Sequence, residues 1–433
     1  MTLDLQAGLS YWLLRNTNLP VFPGLDHDER ADVLVVGAGV TGELAAAVLA
    51  DAGMDVVVLD WRALAQGSSG ASTALISYEP DLSISELSAL RGRDAAVEAY
   101  RAARDANHAL ARLIERLGIQ CGFERAASVH IARSLWQSVA LRTEHRLRNQ
   151  NGFACEYLSA RELEQRHGLV ARSALWCDDA AQLDPVRLLV GLLDHVARRG
   201  SRIHRAHVTT VERAGDGFVA LTRQGPCVRA RRVVFATGYE SQERLRQDSV
   251  QLTSTFVIAA DARPGVPEWL RCAILWDTDR PYHYVRSADG RLLAGGGDVP
   301  FVDEAARDAL MPRKADELLR YLRAILPGLR LDIFSTWCGT FARTDDSLPY
   351  IGEHPDMPGV FHSLGYGGNG ITAGMIGALE LLDVVHGRPH EHAALFSFVR
   401  DRPRAHRAKS VGSLRGWRGF NSSYRVPPEP ESS

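Results

Sequence analysis

The chain contains no CxxC pair, no HExxH and no Cys/His cluster, so its spacing points to no metal site. No Ser/His/Asp triad or catalytic carboxylate pair is visible either. The six cysteines, at 121, 155, 177, 227, 272 and 338, stand isolated. That pattern fits reduced, mostly buried thiols and a cytoplasmic location rather than a disulfide scaffold. Long apolar runs are missing too: no stretch approaches the roughly 18 apolar residues of a membrane span. Net charge is only -2, which argues against a nucleic-acid or membrane surface as partner. The first residues lack a basic leader, and Asp4 precedes their apolar positions, so secretion is not expected. They read instead as a short segment packed on the body, with Trp12 and Leu13 as anchors.

What is present is a soluble, globular composition: 433 residues, 45% hydrophobic and 24% charged. This length exceeds what one core usually supports, so two domains are expected. The densest local signal is VLVVGAGVTG followed by VVVLD. Val33 to Val36 read as a buried parallel strand, Gly37, Gly39 and Gly42 as a GxGxxG turn, and Glu43 to Asp51 as a helix. Val56 to Leu59 form a second strand ending at Asp60. Gly37 permits a tight turn, Gly39 lets backbone approach a pyrophosphate, and Gly42 lets helix and sheet pack closely. The helix start offers free N–H groups and a positive dipole end to phosphates. Asp60 sits where an acceptor meets a ribose hydroxyl. Strand, turn, helix, strand and terminal acid together indicate a dinucleotide site.

Downstream, RALAQGSSGASTALISYEPD reads as a polar, small-residue loop outside the core. Ser85 to Leu117 has helical periodicity closed by Gly118, SVHIAR suggests a strand, and Leu135 to Asn149 another helix. Pro185 opens a helix through Ala197. Ser201–Val211, Phe218–Gln224, Val228–Arg232 and Val233–Gly238 follow as strands. Leu252–Ala260 begins a second strand-rich region. PYHYVRSADGRLLAGGG then reads as a hairpin turning at Asp289 and Gly290. Asp303–Leu326 is helical, Leu331–Trp337 extended, and the late GVFHSLGYGGNGITAGMIGALELLDVVHG gives strand, glycine loop and helix. Arg400 to Arg418 is basic without apolar periodicity and reads as a solvated tail.

Four motifs in order carry a resemblance: VLVVGAGVTG with Asp60, QGSSGASTA, RRVVFATG, and WCGTFARTDDSLPYIG with LGYGGNGIT. Together they resemble the D-amino-acid-oxidase-like family of FAD-dependent oxidoreductases, which includes glycine, sarcosine and γ-glutamylputrescine oxidases. The resemblance covers most of residues 31–390. It implies an α/β fold with a discontinuous Rossmann-like FAD-binding domain and a substrate domain on a mixed, largely antiparallel sheet. The corresponding division is 31–84, 181–245 and 332–395 for FAD, 85–180 and 246–331 for the substrate cap, and 396–433 as a tail. Carried over, Gly37, Gly39, Val40, Thr41 and Gly42 would hold the pyrophosphate, and Asp60 with Trp61 the adenosine ribose. Gly67, Ser68, Ser69, Ser72 and Thr73 would lie beside the flavin, a capped surface turn being the plainer reading of the hydroxyls. Val208 would meet adenine through its backbone, though strand burial also accounts for it. Thr237 and Gly238 would close over the adenosine half, and Gly339 would face the cofactor. Gly368, Asn369, Gly370, Ile371 and Thr372 would meet the O2 end of the flavin, with a structural turn as the alternative.

Two departures matter. The family's amino-acid oxidases commonly place a carboxylate-clamping arginine four residues after the WxG tryptophan; here Trp337 and Gly339 match, but that position is Phe341. This shifts weight from small α-amino acids towards amines, including one with a remote carboxylate. Covalent members use a cysteine at the Gly339 position. Cys338 is one residue away, on the opposite face of a strand, so the expected cofactor is non-covalent FAD. The resemblance implies hydride transfer from an amine or amino-acid substrate to flavin N5, imine hydrolysis, and reduction of oxygen to hydrogen peroxide. A dehydrogenase using another electron acceptor and a non-enzymatic flavin-binding protein are the competing readings. Tyr282, Tyr284 and Arg286 share one strand face and, with Trp337, Phe341, Arg343 and Tyr366, are the candidates to line the catalytic pocket. Arg286 is the favoured anion clamp over Arg343, for which an ion pair with Asp345 or Asp346 is the alternative. Oligomeric state is left open.

Overall fold

The computed structural model describes residues 4–241 and 250–401. Among them, eighteen strands numbered along the chain form two sheets. The smaller sheet has the order β17 (Tyr350–Glu353), β18 (Val360–Leu364), β11 (Cys227–Phe235), β2 (Glu29–Val36), β3 (Val56–Asp60) and β8 (Arg202–Arg205). From β18 to β8 the pairing is parallel. β9 (Val208–Ala214) and β10 (Gly217–Thr222) hang from β11 as an antiparallel hairpin. The apolar run of β2 is explained by cover on both faces. Val33 and Val35 pack into the main core, while Leu34 and Val36 pack with Val211, Phe218 and Val228 beneath the hairpin.

The larger sheet runs β1 (Gln6–Gly8), β16 (Arg330–Thr344), β12 (Val250–Arg263), β15 (Arg291–Pro300), β14 (His283–Ala288), β13 (Ala273–Asp277), β5 (Glu124–Ala132), β7 (Ser173–Gln182) and β4 (Leu75–Ile76). β6 (Glu156–Ser159) pairs β7 off this path. Strand alternation divides its residues. Val129, Ile131, Phe256, Ile258, Val285 and Cys338 join one core with Leu318 and Leu322 of a covering helix, Met311–Ile325. Val257, Ala259, Leu293 and Trp337 face the other way, into the core shared with the smaller sheet.

Three helices matter for the site: α1 (Val40–Asp51), α2 (Arg93–Leu117) and α3 (Gly370–Val385). α1 and α3 are buried along most of their length, which is why their sequences lack a polar stripe.

Several expectations need correction. The stretch after Asp60 is not excluded from the core: it forms a helical turn at Ser68–Ala71 and strand β4, and Leu64, Ile76 and Tyr78 are buried. Ser201–Val211 is two strands, because β8 joins β3 whereas β9 turns into the hairpin. Ser85–Leu117 breaks at Gly92, whose φ of 95° ends one helix before α2 begins. Asp303–Leu326 likewise splits at Leu310. A boundary at 332 cuts β16, which pairs along its whole length with β12 in the larger sheet. Finally, Phe396 and Phe398 are buried and Arg400 is paired with Asp346, so these residues belong to the body rather than a tail. The expectation for 402–433 lies outside the described residues.

Candidate functional site

The first glycine turn is built by close backbone contact. A Cβ on Gly42 would lie 1.9 Å from Gly37 O, and one on Gly37 would lie 2.4 Å from Ala236 O, at a φ of 108°. Gly39 differs: its added Cβ would meet only Ser69 Oγ, at 3.2 Å. The turn is therefore closed below and open above. Gly39 is also the N-cap of α1 and supplies no side-chain cap, leaving first-turn amides directed outward. One of them, Val40 N–H, donates to Ser69 Oγ at 3.0 Å. Thr41 is buried against α3, where it lies beside Gly374.

Asp60 is held in place at the end of β3. Its Oδ2 accepts from Ala38 N–H at 2.7 Å and its Oδ1 from Arg62 N–H at 2.8 Å. Beside it, Trp61 stacks on His207 with ring centroids 5.8 Å apart. Val208 is buried in the hairpin core. Thr237 and Gly238 follow the Ala236 carbonyl that packs on Gly37, and Gly238 takes a φ of 57°. Thr237 N thus borders the glycine turn at Gly37, and Asp60 borders it at Ala38.

The serine-rich segment is clamped from three directions. Trp12 Nε1 donates to Ser72 O at 2.7 Å, and Trp337 Nε1 to Ala71 O at 2.9 Å. Arg286 Nη1 reaches Thr73 O, Ala74 O and Leu183 O at 2.8–3.0 Å. Gly67 begins the segment, Ser68 Oγ reaches Thr340 O at 3.4 Å, and Ser72 Oγ accepts from Ala74 N–H. Gly339 faces this segment: a Cβ there would approach Ala71 Cβ at 3.5 Å. Cys338 points to the opposite side, into the Phe256 core beside Asp308.

Here the structure overturns a preference. Arg286 is a buried arginine whose hydrogen bonds are spent on backbone carbonyls, and whose guanidinium lies 5.3 Å from the Trp12 ring centroid. Burial lowers its pKa to about 10, leaving it charged at neutral pH. It positions the 73–74 backbone and is not free to clamp an anion. Arg343 has half-open surroundings, with its Nη2 3.6 Å from Asp298 Oδ2. Its ion partner is thus Asp298; Asp346 pairs instead with Arg91 and Arg400.

Tyr282 and Tyr284 do remain together, with ring centroids 6.0 Å apart. Gly295 makes room for Tyr284, since a Cβ there would fall 2.3 Å from its hydroxyl. His283 points away, bonding Asp277 and stacking on Tyr321. Phe341 and Tyr366 are buried in a small cluster with Tyr239 and Leu5. The Tyr366 hydroxyl donates to Ser363 O, so it braces the loop from beneath.

The second glycine loop precedes α3, whose N-cap Asn369 forms no side-chain cap. Asp81 reaches this loop: its Oδ2 accepts from Gly368 N–H at 3.3 Å and its Oδ1 from Asn369 Nδ2 at 3.4 Å. A Cβ on Gly368 would meet the Tyr282 hydroxyl at 2.7 Å, whereas Gly370 has only Tyr366 Cδ2, at 3.8 Å. Ile371 is buried, and the buried Thr372 hydroxyl lies 2.8 Å from Asn107 Oδ1. Thr372 therefore ties α3 to α2.

Three acids went unnoticed in the sequence. Asp81 ends the RALAQGSSGASTALISYEPD loop, and Asp298 ends a glycine run. Glu43 sits inside the fingerprint helix, fully buried, with neither carboxylate oxygen hydrogen-bonded. Burial and nearby Asp60 raise its pKa to about 8. An acid within an otherwise apolar helix face was the available signal.

Residues 32–383 match the FAD dependent oxidoreductase (DAO) family. The chain belongs to this family. Gamma-glutamylputrescine oxidoreductase of Escherichia coli is 26% identical over 399 residues, covering 87% of this chain and 89% of that protein. Glycine oxidase of Geobacillus kaustophilus is 24% identical, covering 82% and 93%. The crystal structure of the latter superposes with a TM-score of 0.73 over 86% of this chain and 99% of that one, at 22% identity. L-proline dehydrogenase from P. horikoshii gives 0.71 over 86% and 97%, at 16% identity. The α/β fold and the FAD-dependent oxidoreductase assignment follow. The open face above Gly39, the uncapped start of α1 and the oriented Asp60 fit this cofactor. Cys338, facing away from Gly339, fits its non-covalent attachment.

Proposed function

We propose that this flavoenzyme oxidises the C–N bond of a primary or secondary amine, giving an imine that water converts to a carbonyl product. The observation carrying this reading is the Tyr282–Tyr284 wall beside Gly368, in a chain of an FAD-dependent family whose usual clamp position is filled by buried Phe341. When bound, FAD supplies a two-electron acceptor for the hydride leaving the amine α-carbon, and oxygen is the proposed final acceptor, yielding hydrogen peroxide.

The chain's own residues would do the rest. Gly37, Gly39, Gly42 and Asp60 would hold the adenosine and pyrophosphate portion. The Ser68–Thr73 segment, clamped by Trp12, Trp337 and Arg286, would provide a rigid wall for the ring. The start of α3 would place amides where negative charge grows, which favours the reduced state. The tyrosines would orient the substrate and exclude water. The six cysteines are free, in keeping with the cytoplasmic location proposed here.

The test is anaerobic mixing of FAD-loaded protein with amines, amino acids and 2-hydroxy acids, followed by air. Bleaching by an amine and rapid return of colour with peroxide supports an amine oxidase. Slow return despite bleaching supports the dehydrogenase alternative; bleaching only by hydroxy acids contradicts C–N oxidation.

A further inference from the structure

The acids around the tyrosine wall carry the reading of the substrate one step further. Asp298 has only 6% of its side chain exposed, and its Oδ1 has no hydrogen-bond partner. Its Oδ2 is 3.6 Å from Arg343 Nη2, longer than a hydrogen bond. Burial raises its pKa to about 6, opposed by the Thr255 hydroxyl and Arg343. Asp81 faces the same space from the loop after β4, and its contacts to Gly368 and Asn369 are long, at 3.3 and 3.4 Å. Burial raises its pKa as well. Tyr282 feels both acids and Tyr284 feels Asp298; both hydroxyls are pushed upward mainly by burial, and further by those acids.

The other charges nearby are accounted for. Arg280 contacts Glu86 at 3.3 Å. Glu79 is paired with buried Arg148, and His283 with Asp277. Asp81 and Asp298 share Arg343, and Asp81 also feels Arg280, whose charge is matched by Glu86; the three carboxylates against two guanidiniums leave an excess negative charge beside two aromatic rings. Arg343 also has an unpartnered Nε, which would suit a substrate anion. However, that anion would enter between two carboxylates, which like-charge repulsion disfavours. A cation meets the opposite situation: two carboxylates and two ring faces.

We propose that Asp81 and Asp298 bind a second, distal ammonium group, so that the preferred substrate is an aliphatic diamine rather than a monoamine or an amino acid. The distal ammonium would sit between Asp298 Oδ1 and Asp81, with the methylene chain along Tyr282 and Tyr284 and the reacting carbon towards the flavin. This inference rests on the C–N oxidation reading and narrows it.

The test compares 1,4-diaminobutane, 1-aminobutane and 4-aminobutanoate, which differ at the distal end. Homologues of three to six carbons extend each series. Dissociation constants come from the concentration dependence of anaerobic flavin bleaching, and thermal shifts of the FAD-loaded protein provide a readout without turnover. The diamines should bind at least tenfold more tightly than monoamines of equal length and give the largest thermal shifts. Asp298→Asn and Asp81→Asn, each retaining FAD, should bring that ratio towards one. Equal or tighter binding of monoamines or ω-amino acids overturns the distal-cation site while leaving C–N oxidation intact. A preserved diamine preference in both variants overturns it too. Failure of every amine to bleach the flavin overturns both readings.

Discussion

The two glycine loops look alike in sequence, yet their glycines solve different problems. In the first, Gly37 and Gly42 are required because other backbone occupies the place of a Cβ. In the second, Gly367 and Gly368 border the ends of Asp81 and Tyr282, while Gly370 has open room. The first loop is fixed by the fold; the second is shaped around polar side chains that border the proposed substrate space. Each has a buried acid nearby, Glu43 at the first and Asp298 at the second, but only Asp298 faces a mobile ligand in the proposed site.

The largest effect should come from Gly42→Ala, since its Cβ would press 1.9 Å from Gly37 O. Separation of α1 from the sheet should cost about 3 kcal/mol, the upper part of the overpacking range, and abolish stoichiometric FAD retention. Denaturant unfolding and the visible spectrum check this. A stable yellow variant would break the distinction between the loops.

Arg286→Met should come next. It leaves the carbonyls of Thr73, Ala74 and Leu183 short of a donor, costing roughly 2–3 kcal/mol. Arg343→Met should change unfolding little, because its contact with Asp298 is long and its own side chain is 36% exposed. Equal unfolding midpoints for the two variants would contradict their assigned roles.

Asp60→Ala should weaken FAD binding by about ten- to a hundredfold, corresponding to roughly 1.5–3 kcal/mol for a charged hydrogen bond. Equilibrium titration of the apoprotein measures it; unchanged affinity in a folded variant would remove Asp60 from the ribose site.

Glu43 provides a pH test. Its folded pKa of about 8 exceeds the ordinary 4.5. Below the ordinary value both folded and unfolded forms hold the proton, and no penalty arises. As pH rises between the two values the unfolded chain ionises first, so stability falls by up to about 1.4 kcal/mol per pH unit. Glu43→Gln should flatten that decline in urea unfolding of the apoprotein. An identical pH profile would show that Glu43 is solvated.

The smallest effect should be Gly370→Ala, whose Cβ has ordinary contact at 3.8 Å. FAD affinity should stay within about twofold and stability within about 0.5 kcal/mol.

The sequence made the first βαβ unit legible because its signals are local: an apolar strand, three glycines with fixed offsets, and Asp60. The hairpin at Asp289 and Gly290 was legible for the same reason, and both residues adopt positive φ. Arg286 was misread because strand alternation tells which face it occupies but not that Thr73, Ala74 and Leu183, more than a hundred positions away, await its guanidinium. Asp81 and Asp298 were missed because they are 217 positions apart and feel each other only once the chain is folded. The extra strand at Leu75–Ile76 was hidden by small neighbours, Ala71 and Ser72, whose carbonyls are satisfied by distant tryptophans.

The most direct test of C–N oxidation is a single turnover without oxygen. FAD-loaded protein is mixed with a bleaching amine, quenched, and assayed for carbonyl product and released amine or ammonia. One carbonyl and one nitrogen product per FAD bleached is the predicted result; bleaching with the amine recovered intact would contradict it.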